Sequence, residues 1–237
     1  MHAALLALVN GEPERMPIET DLRGFPAIQA ESTAYLDGKE IYHGTAANSV
    51  EQTVQNVYVD GDRITTTEEK TRSKVACEWY ADLEAGFIGV DSSDGQWLFQ
   101  HLALKHGVEA FEAVVDLDSF ADQIAANVEA TAWQVSRKQS FDEDGDSERV
   151  EIKYHDSANL AETGRGGNIQ LGFTYFWNGI RVHGTVAASG YVAIYSSMTV
   201  DTFGRWMCDE LVPHLEIPDS GSQAFLKDIR EREGVDV

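Results

Sequence analysis

The chain has 237 residues, 43% of them hydrophobic and 10% aromatic, with 40 acidic against 18 basic side chains and a formal charge of −22. That balance excludes collagen-like, coiled-coil and disulfide-scaffold classes, and the apolar content argues against global disorder. A length of this order suits one domain, or two closely joined halves, with a large core.

The acids are scattered along the whole chain rather than gathered in a tail. Self-repulsion of that size destabilises an ordinary protein. At molar salt the Debye length falls to about 3 Å and the repulsion is screened. The composition therefore resembles that of extreme-halophile, haloarchaeal-type proteins. An acidic mimic of nucleic acid is the alternative.

No apolar run reaches the roughly 18 residues of a membrane span, so no membrane partner is expected. The apolar run 3–9 lacks a basic region before it and meets Glu12 and Glu14 after it. A signal peptide is not expected, and the expected location is cytoplasmic, or a virion if virus-encoded.

In chain order, residues 1–30 read as a short apolar element and an irregular N-terminal arm, holding Pro13, Pro17 and Pro26. Asp37-Gly38 suggests a small hairpin, and Asp60-Gly61 a tight turn in a strand-rich stretch from Val54 to Leu83. Val75, Cys77, Trp79 and Ala81 alternate with Lys70, Arg72, Lys74 and Glu78, the pattern of a half-buried strand. Phe87–Val90 is a short buried strand. Ser92, Ser93 or Asp94 is expected to cap a helix from about Gln96 to His106, stopped by Gly107. Asp118 or Ser119 is expected to cap a second, with Phe120, Ile124 and Val128 on one stripe. Further strands carry Trp133 and Val135, then Val150, Ile152 and Tyr154, then Ile169, Leu171, Phe173 and Tyr175. Asn178-Gly179 is the strongest hairpin signal. A last core helix runs from about Val200 to Val212, and residues 216–237 read as a linker and C-terminal helix.

These elements predict an α+β core over residues 31–215, with antiparallel sheets and helices packed on one face. The stretch from Ala85 to Ser93 recurs in outline from Ser189 to Ser197, each copy after a strand and before a Trp-bearing helix. The echo raises the alternative of two similar hairpin-to-helix halves meeting near residues 130–148.

The layout around Gly86-Phe87-Ile88-Gly89-Val90-Asp91 resembles that of the RdgC family of recombination-associated, ring-forming DNA binders, over about residues 74–128. The resemblance implies DNA association and oligomer formation. It carries no site residue over to this chain.

Lys70, Arg72 and Lys74 share one strand face at period two and stand out in an acidic chain. A nucleic-acid backbone is one partner for them, and the neighbouring Glu68, Glu69 and Glu78 are the other. Arg137, Lys138 and Arg165 could extend the patch. The loop Gly164–Gly167 lacks the Lys-Ser/Thr of a phosphate-binding loop. Asp142–Asp146 lacks the spacing of a calcium loop and reads as a hairpin tip. Cys77 and Cys208 read as buried hydrophobes, with a disulfide or a zinc site alongside His183, Asp209 and His214 as alternatives. No cofactor, metal site or catalytic residue is expected. The expected function is a non-enzymatic binding or assembly protein of a halophile, acting as a homo-oligomer or within a larger assembly, with nucleic acid as a candidate partner. The alternatives are a virus- or plasmid-encoded structural protein and a metal-dependent hydrolase or nuclease.

Overall fold

A computed structural model describes residues 1–10, 20–34, 40–82, 84–106, 109–127, 129–140, 147–160 and 166–218. One sheet organises them. Its strand order is β2 (Ala27–Ala34), β3 (Glu40–Asp60), β4 (Arg63–Asp82), β5 (Phe87–Val90), β1 (His2–Asn10), β12 (Tyr191–Ile194), β11 (Ile180–Ala187), β10 (Asn168–Trp177), β8 (Thr131–Ser140) and β9 (Ser147–Asn159). β6 (Glu109–Glu112) also pairs β1, while β7 (Val114–Val115) and β13 (Leu215–Glu216) form a separate small pair. All these pairings are antiparallel. Three α-helices interrupt the strands: α1 (Trp97–His106), α2 (Leu117–Ala125) and α3 (Val200–Trp206). The class is therefore α+β and mostly antiparallel sheet.

The apolar run at the N-terminus, expected as a short helix or strand ahead of the arm, is a strand. It is β1, seated between β5 and β12, with Ala4, Leu5, Leu6 and Ala7 all buried. A strand that is apolar on consecutive residues has both faces covered, which places it mid-sheet. Its alternate residues separate two cores. Leu6 joins Phe87, Phe120, Phe173, Phe203 and Trp206. Leu5 and Ala7 join Trp79, Ile88, Leu98 and Leu102.

The repeated sequence units flank β1. The β4–β5 hairpin lies on one side of it and the β11–β12 hairpin on the other. Phe87 pairs Leu8 and Tyr191 pairs Leu5, an offset of three residues along β1. An odd offset reverses the faces. Accordingly Ile88 and Val90 point into the α1 core, whereas their counterparts Val192 and Ile194 point into the α2–α3 core. The two units are thus related by an approximate half-turn about β1. That operation sends α1 to one side of the sheet and α3 to the other, so the expected single helical face divides into two.

The caps also differ from the sequence reading. α2 is capped by Asp116, whose carboxylate accepts from the N–H groups of Asp118 and Ser119. α3 is capped by Thr199. Ser92 makes no side-chain cap bond, and Ser196 accepts from the His183 N–H instead. α3 continues into a π-helical turn, 207–211, and a 3₁₀ turn at Pro213. Asn178 and Gly179 both adopt positive φ, at 48° and 78°, the signature of a two-residue hairpin turn. The proposed hairpin tip 35–39, the charged turn 142–146 and the C-terminal helix beyond residue 218 fall outside the described residues.

Candidate functional site

β3 and β4 are 21 and 20 residues long and pair without a break from Tyr42–Ala81 to Asp60–Arg63. β2 accompanies β3 only as far as Ala47, and β5 accompanies β4 only from Trp79. Beyond Asn48 and Val75 the hairpin is a two-stranded arm, about 40 Å long at the usual strand rise of about 3.3 Å. Thr and Val abound in it, residues that favour extended backbone at an exposed site. Its outer part is open to solvent on both faces. Isolated two-stranded hairpins are marginally stable in water, so such an arm ordinarily has something to lie on.

The end of the arm is apolar. Val57, Val59 and Ile64 are 61%, 72% and 72% exposed, and Val59 pairs directly with Ile64. Val57, Val59 and Ile64 share one face by alternation, while Tyr58 and Val54, also exposed, lie on the other. Asp60, Asp62 and Arg63 close the tip around Gly61, whose φ of 58° suits a residue without a side chain.

The stripe Lys70, Arg72 and Lys74 runs along the same arm, on the face that carries Val57, Val59 and Ile64. The structure brings these three together, exposed, as the alternation predicted. Their partners differ from those expected. Lys70 Nζ binds Glu51 on the adjacent strand at 2.9 Å. Lys74 Nζ stands 5.5 Å over the Phe25 ring. Arg72 lies directly opposite Glu51 and has no ion pair among the described residues. Glu51 belongs to β3, and cross-strand pairing cannot be read from one strand's spacing.

The other cations do not extend this stripe. Arg137 and Lys138 are on β8, six strands from β4 in the sheet order. Arg137 Nε donates to Asn168 Oδ1 at 2.9 Å, and Asn168 donates in turn to Asp118 at 2.6 Å. Arg137 therefore belongs to a bonded junction between β8, β10 and α2. Arg165 lies outside the described residues. The adjacent Gly166 N–H binds the Asp118 carboxylate.

A second exposed surface emerges only from the sheet. Leu171, Phe173, Tyr175, Val182, Val186, Val192 and Ile194 all face the α2–α3 core. The alternate residues of β8, β10, β11 and β12 therefore face the other way. α1 covers that opposite side over β4, β5 and β1. On the β8–β12 half Gln134, Ser136, Thr185, Ala187 and Ala193 are buried as well, and Phe176, Arg181 and Tyr195 are the exposed outward residues. Trp133, His183 and Tyr195 form a ring triangle there, with centroids 5.4, 5.7 and 6.4 Å apart. Trp133 lies flat across Gly172, where a side-chain carbon would stand 2.6 Å from the indole. Its Nε1 donates to the Phe173 carbonyl. Thr174 binds His183 Nδ1 at 2.7 Å, and Phe176 and Tyr195 are 41% and 45% exposed. Burial and the nearby Arg181 push His183 below its ordinary 6.5, which keeps its ring neutral at pH 7.

About one residue in six of the chain is acidic, yet none of the outward positions of β8, β10, β11 and β12 is. Arg181 is the one formally charged residue among them, counting residues 131–136, 170–176, 181–187 and 191–195. The signal in the sequence is that β8, β10, β11 and β12 carry no acid at any position.

The remaining candidates form no site. Cys77 is buried, and its thiol is pushed up to about 12 by desolvation. Cys208 donates to the buried Asp82 carboxylate at 3.2 Å, and neither cysteine forms a disulfide among the described residues. Among the described residues no cluster of His, Cys, Asp and Glu suits a metal. A polar seam that the sequence did not reveal runs from Trp206 Nε1 to Tyr175 Oη, then Glu210, Gln123, His214 and Ser119. It ties the π turn to α2. Burial lowers His214, so the ring stays neutral at pH 7 and both its nitrogens are spent on these bonds. A shallow pocket of about 180 Å³ lies between β2, β3, β4 and Val200, lined by Glu31, His43, Glu78 and Tyr80. No described helix is long and apolar enough to cross a membrane.

No known protein-family model matches the chain, and no curated protein matches it either.

Proposed function

We propose that this chain is a non-enzymatic assembly protein suited to molar salt, which joins copies of itself through the β3–β4 arm. The observation that carries this reading is the arm itself: a two-stranded ribbon, solvated on both faces, ending in Val57, Val59 and Ile64. Exposed edges with apolar side chains are a liability unless they are covered. The charge of −22 supports a salt-rich setting, since ions screen the repulsion between copies. Burying the exposed fractions of those three side chains would contribute about 4 kcal/mol. Association costs at least that much in lost freedom, so the tip needs a shaped receiving surface.

The test is sedimentation velocity in about 2 M KCl, where surface charge is screened. The full chain is compared with one in which residues 52–71 are replaced by a short turn. The expected result is an oligomer that dissociates when the arm is removed, with the core still folded. A full chain that is monomeric throughout would end this reading.

Nucleic-acid association is the second reading, and the exposed Arg72, which has no ion pair among the described residues, favours it. Glu51 and Phe25 already engage Lys70 and Lys74, which places this reading second. It predicts a gel shift with DNA or RNA that is lost when Lys70, Arg72 and Lys74 are all changed to Gln.

A further inference from the structure

We infer that the exposed patch of Phe176, Arg181 and Tyr195 on the outward side of the β8–β12 half is the acceptor for the arm tip of a second copy of this chain. The inference rests on the assembly reading and names the partner surface. Three observations carry it. First, the arm tip exposes Val57, Val59 and Ile64, and the patch exposes Phe176 and Tyr195 beside the half-buried Trp133. Second, their charges are complementary. The patch contributes Arg181 and no acid, while the tip carries Asp60 and Asp62 against Arg63 alone and so ends net negative beside Val59 and Ile64. In a chain this acidic, an acid-free face is what lets a second acidic copy approach. Third, an arm of about 40 Å extends far enough past its own sheet to lie across a neighbour's strands.

Because donor and acceptor are different surfaces, the contact is head-to-tail. Such contacts close into rings or run on as filaments according to the rotation between copies. The tip's apolar face meets the aromatic triangle, and the Asp60–Asp62 turn meets Arg181. A DNA or RNA strand stacking on the same rings is the competing occupant. Within residues 131–136, 170–176, 181–187 and 191–195 Arg181 is the one cation, which gives a phosphate backbone little to hold.

The experiment uses two blocked variants of the full chain in about 2 M KCl. One carries Val59→Asp and Ile64→Asp in the arm. The other carries Phe176→Glu and Tyr195→Ser on the face, both positions being already half exposed. Each alone is expected to remain monomeric. Mixed in equal amounts they are expected to form a 1:1 dimer and nothing larger, since one intact arm meets one intact face. If the face-blocked chain assembles like the unaltered one, the acceptor assignment falls while the arm reading stands. The same holds if the mixture stays monomeric although the unaltered chain assembles. If the unaltered chain is itself monomeric, both fall. Should the double face variant melt early, Arg181→Glu, on an exposed side chain, replaces it with the same expected pattern.

Discussion

Replacing Gly172 by alanine puts a methyl group under the Trp133 indole. A carbon built there stands 2.6, 2.7 and 2.8 Å from Cε2, Cζ2 and Cδ2 of that ring. Ordinary carbon contacts are about 3.5–4.0 Å, so the ring must lift by about 1 Å. Lifting breaks the 3.2 Å bond from Trp133 Nε1 to the Phe173 carbonyl. Overpacking costs about 1–3 kcal/mol and a lost hydrogen bond about 1 kcal/mol. Trp133 is half-buried and can tilt toward solvent, which holds the total near 1–2 kcal/mol. At this chain length each kcal/mol moves the melting point by about 2–4 °C. The expected outcome of Gly172→Ala is therefore a fall of about 2–8 °C with a change in near-ultraviolet circular dichroism. The control is the same change in a Trp133→Ala background, where it is expected to cost almost nothing. Equal costs in both backgrounds would refute the placement of the indole on β10.

Other consequences are equally direct. Tyr175→Phe removes the hydroxyl that accepts from Trp206 and donates to Glu210, stranding two groups, and should cost about 1–3 kcal/mol in a denaturant titration. His101, His183 and His214 all lie below the ordinary 6.5, chiefly through burial. Their unfolded forms bind protons first, so stability is full above about pH 6.5 and declines as pH falls from there toward the lowered folded values. A melting point that rises on acidification through that window would contradict it. A thiol reagent should modify native Cys208 well before Cys77, because burial keeps Cys77 protonated and covered. Faster labelling of Cys77 would mean that the α1 core opens.

Local patterns carried the elements and left their assembly open. Asp60-Gly61 and Asn178-Gly179 mark real hairpin turns because their chemistry is local. The alternation around Trp79 and that around Phe173 each mark an inward face for the same reason. The place of β1 depended on reading Ala4–Ala7 as buried on both sides, which a seven-residue apolar run permits but does not demand. The half-turn between the two repeated units depends on a three-residue register offset along β1, which no single strand encodes. The same applies to the stripe: period two gathered Lys70, Arg72 and Lys74, while Glu51 came from a strand partner nineteen positions before Lys70. The acid-free face was visible only as what four separate strands lack.

Hydrogen exchange of the arm at two protein concentrations, in the salt where the chain is folded, tests self-assembly most directly. The account predicts that amides of residues 52–60 and 63–71 exchange quickly in dilute solution and become protected as concentration rises, together with β10 and β11. Arm exchange that stays fast and independent of concentration would contradict it.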